Sequence, residues 1–336
     1  EKEVSMLELL LIITLIVGSL FLLVKGADYL VDGAADTARW LKVRPMLVGL
    51  TVVAFGTSLP ELMVSLFSGL SGNTDLSIGN IIGSNTFNIA GIIGVSALIM
   101  PLVIRSKTLM YEFPIMIIAA FLLLILADDQ FIFQQSGFSL SRIDGLIMLF
   151  VFVVFLYYIY LAAQKERQHN GRRGNSRTAK VVFKQRNPQW KNGLYILGGL
   201  AALVIGGRLF TYAAVRLATL AGISEAFIGL TIAAIGTSLP ELFTSVVAAW
   251  KKEADIAVGN IVGSNIFNIL FILGVVSLIK PLAANAAMIA VDGIVMVFVS
   301  LVFLFFAARY GRITKWMGIV FLVMYLAYFS WLVGNL

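Results

Sequence analysis

The sequence predicts an all-α membrane protein of ten transmembrane helices, arranged as two inverted five-helix repeats in which helices 2 and 7 are broken. Three observations predict it. Sixty per cent of the 336 residues are hydrophobic and 13% are charged, in apolar runs of about 20 residues, the length that crosses a bilayer core. Residues 49–101 recur as 229–281 at a constant offset of 180, with 28 of 53 positions identical and no gap. The basic residues, finally, crowd into alternate connections.

Taken in order, the spans fall roughly at 6–34, 45–70, 76–101, 109–127, 140–163, 192–219, 225–250, 256–281, 286–308 and 313–334. The connections after spans 1, 3, 5, 7 and 9 hold nineteen Lys and Arg: Arg39, Lys42 and Arg44; Arg105 and Lys107; nine between 165 and 191; Lys251 and Lys252; Arg309, Arg312 and Lys315. The other side holds about four, namely Lys2, Arg142, Arg216 and Lys280. Cytoplasmic loops carry the excess, so both termini are expected outside and the basic linker 164–191 inside. An odd number of spans in 6–163 then makes the second repeat, 192–336, enter from the opposite face, a common architecture of secondary transporters. Glu1, Glu3 and Glu8 are the wrong flank for a cleavable signal, and Met6 reads as a start.

Composition narrows the chemistry. There is no cysteine, which removes disulfides and thiolate metal sites, and the single His169 sits in the basic linker, away from any zinc site or triad. The net charge of +7 lies in loops and reads as topology, with no nucleic-acid partner implied.

Identity between the copies is densest at GTSLPE, residues 56–61 and 236–241, and at GNxxGSNxFN, residues 79–88 and 259–268. Pro60 and Pro240 lack the N–H that a helix interior needs, so each helix is expected to open near Gly56 and Gly236. Thr57, Ser58, Thr237 and Ser238 are good N-cap types for the second half-helices. The carbonyls around Ala54 and Ala234 are expected to lose their partners, which backbone at membrane depth tolerates only beside a cavity or a ligand. Glu61 and Glu241 fall about 16 residues into their spans, where a carboxylate must be paired, protonated or bound to a cation. Hydroxyls, carbonyls and carboxylates are hard ligands that suit Ca²⁺, Na⁺ or Mg²⁺. Two buried glutamates give a site charge of −2, which one Ca²⁺ or two Na⁺ neutralise. Asn80, Ser84 and Asn88, with Asn260, Ser264 and Asn268, recur at i, i+4, i+8 as one polar stripe per helix, a stripe that could face the glutamates. Asp75, Glu225, Glu253 and Asp255 lie at loop edges as expected helix caps, and Glu112 and Asp292 read as caps or scaffold.

GTSLPEL with GNIIGSNTFN, repeated as GTSLPEL with GNIVGSNIFN, resembles the α-repeats of the calcium/cation antiporter superfamily, most closely the prokaryotic sodium/calcium exchangers. The resemblance implies that Glu61 and Glu241 are the central Ca²⁺ and Na⁺ ligands. Thr57, Ser58, Thr237, Ser238 and the carbonyls of Ala54 and Ala234 would complete separate Na⁺ positions, and Ser84, Asn88, Ser264 and Asn268 would complete the cluster. It implies a transporter and not an enzyme, with no cofactor: spans 1 and 6 slide across an eight-helix core in a prokaryotic inner membrane, exchanging about three Na⁺ for one Ca²⁺, in a monomeric transport unit surrounded by lipid. Some relatives carry an aspartate where this chain has Asn268, so a potassium-coupled reading is weakened. A Ca²⁺/H⁺ antiporter remains the nearest alternative, since two carboxylates could also carry two protons. A cation channel has no need of two broken-helix repeats, and a hydrolase finds no histidine or lysine at the depth of Ser58 or Ser238.

Overall fold

The computed structural model describes residues 6–105, 111–128, 138–173, 189–221, 234–286 and 288–334. They form helices joined by short turns. The first half runs α1 (Met6–Leu41), α2 (Pro45–Val48), α3 (Ala54–Thr57), α4 (Leu59–Ser71), α5 (Thr74–Thr86), α6 (Ile93–Ile99), α7 (Glu112–Ala127) and α8 (Arg142–Arg173). The second half runs α9 (Gln189–Leu220), α10 (Ala234–Thr237), α11 (Leu239–Trp250), α12 (Ala254–Ile266), α13 (Gly274–Ile279), α14 (Ile294–Tyr310) and α15 (Lys315–Gly334). Wide π-type turns at Gly49–Val53, Phe87–Ile92, Phe267–Leu273 and Met288–Gly293 interrupt the helical runs. Two of them, at Phe87 and Phe267, begin 180 residues apart within the repeated motif. Such bulges concentrate at functional positions.

By length and composition, seven helical segments among the described residues can cross a membrane, and the pair Pro45–Thr57 and Leu59–Ser71, bent by 47°, makes an eighth. This falls short of the ten spans the sequence predicts. One reason is that 222–233, which include the first nine residues of predicted span 7 (225–250), lie outside the described residues, which leaves α11 with 12 residues. The other is that α7 has 16 residues, about 24 Å of helix against the ~30 Å of a hydrocarbon core.

The chain buries its polar motif helices and exposes its apolar ones. Thr74–Ile99 and Ala254–Ile279 are 78% and 83% buried along their apolar windows, whereas Met6–Leu41 is 17% and Lys315–Gly334 is 11% buried. The two GNxxGSNxFN helices therefore form the centre, and the uniformly apolar helices ring them, as expected where lipid replaces water as the outer solvent. Close approach at the centre depends on glycine. A Cβ on Gly263 would lie 2.6 Å from the Leu50 carbonyl oxygen, and one on Gly259 2.8 Å from that of Met46. Helices α1 and α9 cross in the same way: a Cβ on Gly26 would lie 2.9 Å from the Gly199 oxygen, and one on Gly199 2.7 Å from that of Gly26. Helix α9 also lies over both proline breaks, with Leu200 against Gly56 and Thr211 against Gly236.

Among the described residues most ionic contacts gather at one end, while Arg216 and Glu8, 2.6 Å apart, join α9 to the opposite end of α1. Lys251, at the end of α11, reaches Asp28 at 2.5 Å and Asp32 at 2.9 Å on α1, and Arg39 on α1 reaches Glu253 at 3.6 Å. Nearby, Arg44 pairs with Glu166 and, at 3.3 Å, with Glu112, which also accepts the Tyr158 hydroxyl at 3.1 Å. Glu112 is thus scaffold, as is Asp292, which accepts the Tyr328 hydroxyl at 2.9 Å. Of the caps expected at the loop edges, Asp75 and Asp255 fall in first helical turns and Glu253 at an N-cap position, but their contacts are made elsewhere. Asp255 pairs with Arg105 at 3.2 Å, Asp75 accepts the Asn285 amide at 3.1 Å, and Glu253 occupies an N-cap position without a capping bond. Burial holds Glu253 above the usual carboxylate range, with Arg39 acting against it. Asn73 caps α5 instead, through the Leu76 N–H at 3.3 Å. Glu225 lies outside the described residues.

Candidate functional site: two carboxylates between crossed serines

Each GTSLPE motif breaks its helix two residues beyond the predicted place. Ser58 (φ −81°, ψ 9°) and Ser238 (φ −88°, ψ 8°) both leave helical geometry just before α4 and α11, because proline two residues on donates no N–H. Both serines hold the N-cap position, as their residue type suggests, yet neither hydroxyl caps. The hydroxyls are used elsewhere. Ser58 donates to Glu241 Oε1 at 2.9 Å and Ser238 to Glu61 Oε1 at 2.9 Å, so each serine holds the carboxylate of the other half.

The central helices add a second donor to each. Ser84 Oγ lies 2.9 Å from Glu61 Oε1 and 2.5 Å from Ser238 Oγ; Ser264 Oγ lies 3.5 Å from Glu241 Oε1. Glu61 and Glu241 are fully buried. Both face inward, each held by a serine of the opposite half.

The polar stripe divides its work. Asn80 and Asn260 turn away from the carboxylates: their Nδ2 groups donate to the main-chain oxygens of Glu61 and Glu241, both at 3.4 Å, and to Ser65 and Ser245 Oγ at 2.9 and 3.0 Å. They brace the helix that carries each glutamate. Thr57 joins this brace, donating within reach of Asn260 Oδ1 at 3.1 Å and the Ala54 oxygen at 3.3 Å. The Ala54 carbonyl also accepts the Ser58 N–H at 3.1 Å. The expectation that this carbonyl has no partner is therefore corrected: the helix persists two residues further than the motif suggests, although a carbonyl keeps a second lone pair. In the second half Ser238 N–H turns to Ile235 O at 3.1 Å, and Ala234 opens α10 while Thr237, half-buried, closes it.

Two residues that the stripe reasoning passed over complete the centre. Asn85 and Asn265 are buried where α5 and α12 meet, and each binds the other's helix. Their signal was present, since both stand at identical places in GSNxFN, but they sit off the i, i+4, i+8 line.

Of the buried side-chain oxygens that end without a hydrogen-bond partner among the described residues, four belong to the repeated motifs: Glu61 Oε2, Glu241 Oε2, Asn88 Oδ1 and Asn268 Oδ1. They form two pairs, each 180 residues apart. A buried acceptor left unpaired costs about 1–3 kcal/mol, and carboxylate and amide oxygens are the ligands that a hard cation takes. Among the described residues no cluster of three or more His, Asp or Glu side chains forms a metal site of another kind.

A comparison with known families decides the membership. The family model described as "Sodium/calcium exchanger protein" matches residues 11–161 and 191–334. The chain belongs to the sodium/calcium exchanger family. Relatives in the family include a putative antiporter, CaxA, of Alkalimonas amylolytica, 38% identical over 92% of this chain and 94% of that protein. The sodium/calcium exchanger MaX1 of Methanosarcina acetivorans is 33% identical over 94% and 96%. In three dimensions the chain superposes on the sodium-calcium exchanger NCX_Mj from crystals soaked with zero Na⁺ and Ca²⁺, with a TM-score of 0.79, 31% identity, and coverage of 96% of this chain and 99% of that one. The likeness runs the length of the exchanger and includes both motif helices.

Proposed function

We propose that this family member is an electrogenic Na⁺/Ca²⁺ antiporter of a prokaryotic plasma membrane, with ten spans in two inverted repeats (6–163 and 192–336), the linker 164–191 in the cytoplasm and both termini outside. Glu61 and Glu241 hold Ca²⁺ or Na⁺ at mid-membrane. Asn88 and Asn268 add oxygens, and Ser58, Ser84, Ser238 and Ser264 orient the carboxylates. Thr57, Thr237 and the carbonyls of Ala54 and Ala234 serve the flanking Na⁺ positions. The observation that carries this reading is the set of four buried, unpartnered oxygens drawn equally from the two halves.

Charge makes exchange natural. A site of −2 becomes neutral with one Ca²⁺ and +1 with three Na⁺, so the two loaded forms compete for the same oxygens and differ in charge. Alternating access by α1 and α9 sliding over the rest is supported by their mutual packing and by the position of α9 across both breaks.

In proteoliposomes, ⁴⁵Ca²⁺ uptake is expected to require an outward Na⁺ gradient, to respond to membrane potential, and to vanish in Glu61→Gln or Glu241→Gln. Uptake driven by a pH gradient in place of Na⁺ identifies a Ca²⁺/H⁺ antiporter instead, and uptake indifferent to both refutes the coupling.

A further inference from the structure

The amide groups at the centre carry more information than their positions. Asn85 Nδ2 donates to the main-chain oxygen of Asn265 at 3.2 Å, and Asn265 Nδ2 donates to that of Asn85 at 3.3 Å. A main-chain carbonyl only accepts. Turning either amide end for end would set oxygen against oxygen, so these two contacts fix which way Asn85 and Asn265 point.

Their orientation fixes the next pair. With Nδ2 committed to backbone, Asn85 offers Oδ1 to Asn268 Nδ2 at 3.0 Å, and Asn265 offers Oδ1 to Asn88 Nδ2 at 3.0 Å. Rotating Asn268 would again face oxygen to oxygen, now at Asn85. The amides of Asn88 and Asn268 therefore present Oδ1 away from this junction, and those are the buried oxygens that lack a donor. An amide in the opposite sense would present N–H groups, which repel a cation. Both residues lie one helical turn beyond Ser84 and Ser264, the serines that touch the carboxylates.

We propose that Asn85 and Asn265 are positioning residues that hold Asn268 and Asn88, each in the opposite half, oxygen-first toward the transported ions. This rests on the two-glutamate ion site proposed above. The service is crossed: Asn85 acts through Asn268 and not through Asn88, its neighbour on the same helix.

The crossing supplies the test, by equilibrium ⁴⁵Ca²⁺ binding to purified full-length protein and by Na⁺-driven uptake. Asn85→Ala is expected to weaken Ca²⁺ binding about tenfold and to raise the KM for Ca²⁺ more than it lowers kcat. In an Asn268→Ala background the same change is expected to cost nothing further, whereas in Asn88→Ala it costs its full amount. Asn265→Ala shows the mirror pattern. If Asn85→Ala does not fold, Asn85→Ser, whose hydroxyl falls short of Asn268, enters the same cycle. Equal losses in both backgrounds, coupling within one helix, or unchanged binding overturns the proposal. Glu61→Gln separates the two readings. Normal Ca²⁺ binding there removes the ion site itself, while lost binding with an additive Asn85 cycle removes only the role given to the asparagines.

Discussion

At the scale of single residues, the two carboxylates are alike but not equally held. Glu61 Oε1 takes hydroxyls from Ser238 and Ser84 at 2.9 Å each, while Glu241 Oε1 takes Ser58 at 2.9 Å and Ser264 only at 3.5 Å. Ser238 also touches Ser84, so its removal loosens two contacts at Glu61. A hydrogen bond to a charged group is worth roughly 1.5–3 kcal/mol. Ser58→Ala and Ser238→Ala are both expected to raise the KM for Ca²⁺, by about tenfold or more, with Ser238→Ala the more severe; uptake titrations on the two variants check the order. The glutamates and the serines at 84 and 264 were legible because they are polar residues repeated where lipid would favour apolar ones. What stayed hidden was direction. A serine before a proline reads as a cap, and only the folded chain turns Ser58 and Ser238 across to the other half.

Among the elements, the two hairpins that follow the broken helices solve one turn with different residues. After α4 the chain reverses through Gly72 at φ +92°, and after α11 through Lys252 at φ +65°. Glycine enters this left-handed region freely, whereas a side chain meets the following carbonyl, at about 1–2 kcal/mol. Lys252 is exposed, so its side chain is not part of the buried core. Lys252→Gly is therefore expected to stabilise the protein by about 1 kcal/mol, read as a higher thermal midpoint in detergent at unchanged transport. The converse change, Gly263→Val, drives a side chain into the Leu50 backbone and is expected to abolish folding, seen as loss of monodisperse protein. Helix existence and the breaks were readable from apolar run length and from Pro60 and Pro240. The π-type turns at Phe87 and Phe267 were not, since one extra residue per turn leaves no mark on a hydrophobic pattern.

Across the whole molecule, two halves built on one motif would make two access states nearly equal in energy, unless something unshared separates them. The ionic contacts are unshared. Lys251 ties α11 to Asp28 and Asp32 on α1, whereas the residues 180 positions away, Ser71, Arg208 and Tyr212, include no acid to make such a tie. The contact is partly exposed, so it is worth about 0.5–1 kcal/mol, enough for a several-fold shift in population. Lys251→Met is expected to increase exposure of the Lys251 end by about two- to fivefold. The chain has no native cysteine, so the labelling rate of a single introduced thiol on α1 near Asp28 reads it directly, and an unchanged rate counts against the bias.

The meeting of Gly26 with Gly199 bears on leakage. With main chain against main chain at this crossing, neither rod has slack to travel alone, so in the sliding mechanism proposed above the two would have to move as one body. Under that proposal, a bulkier residue at either glycine would part the rods and uncouple their travel, leaving a seam through which ions could leak.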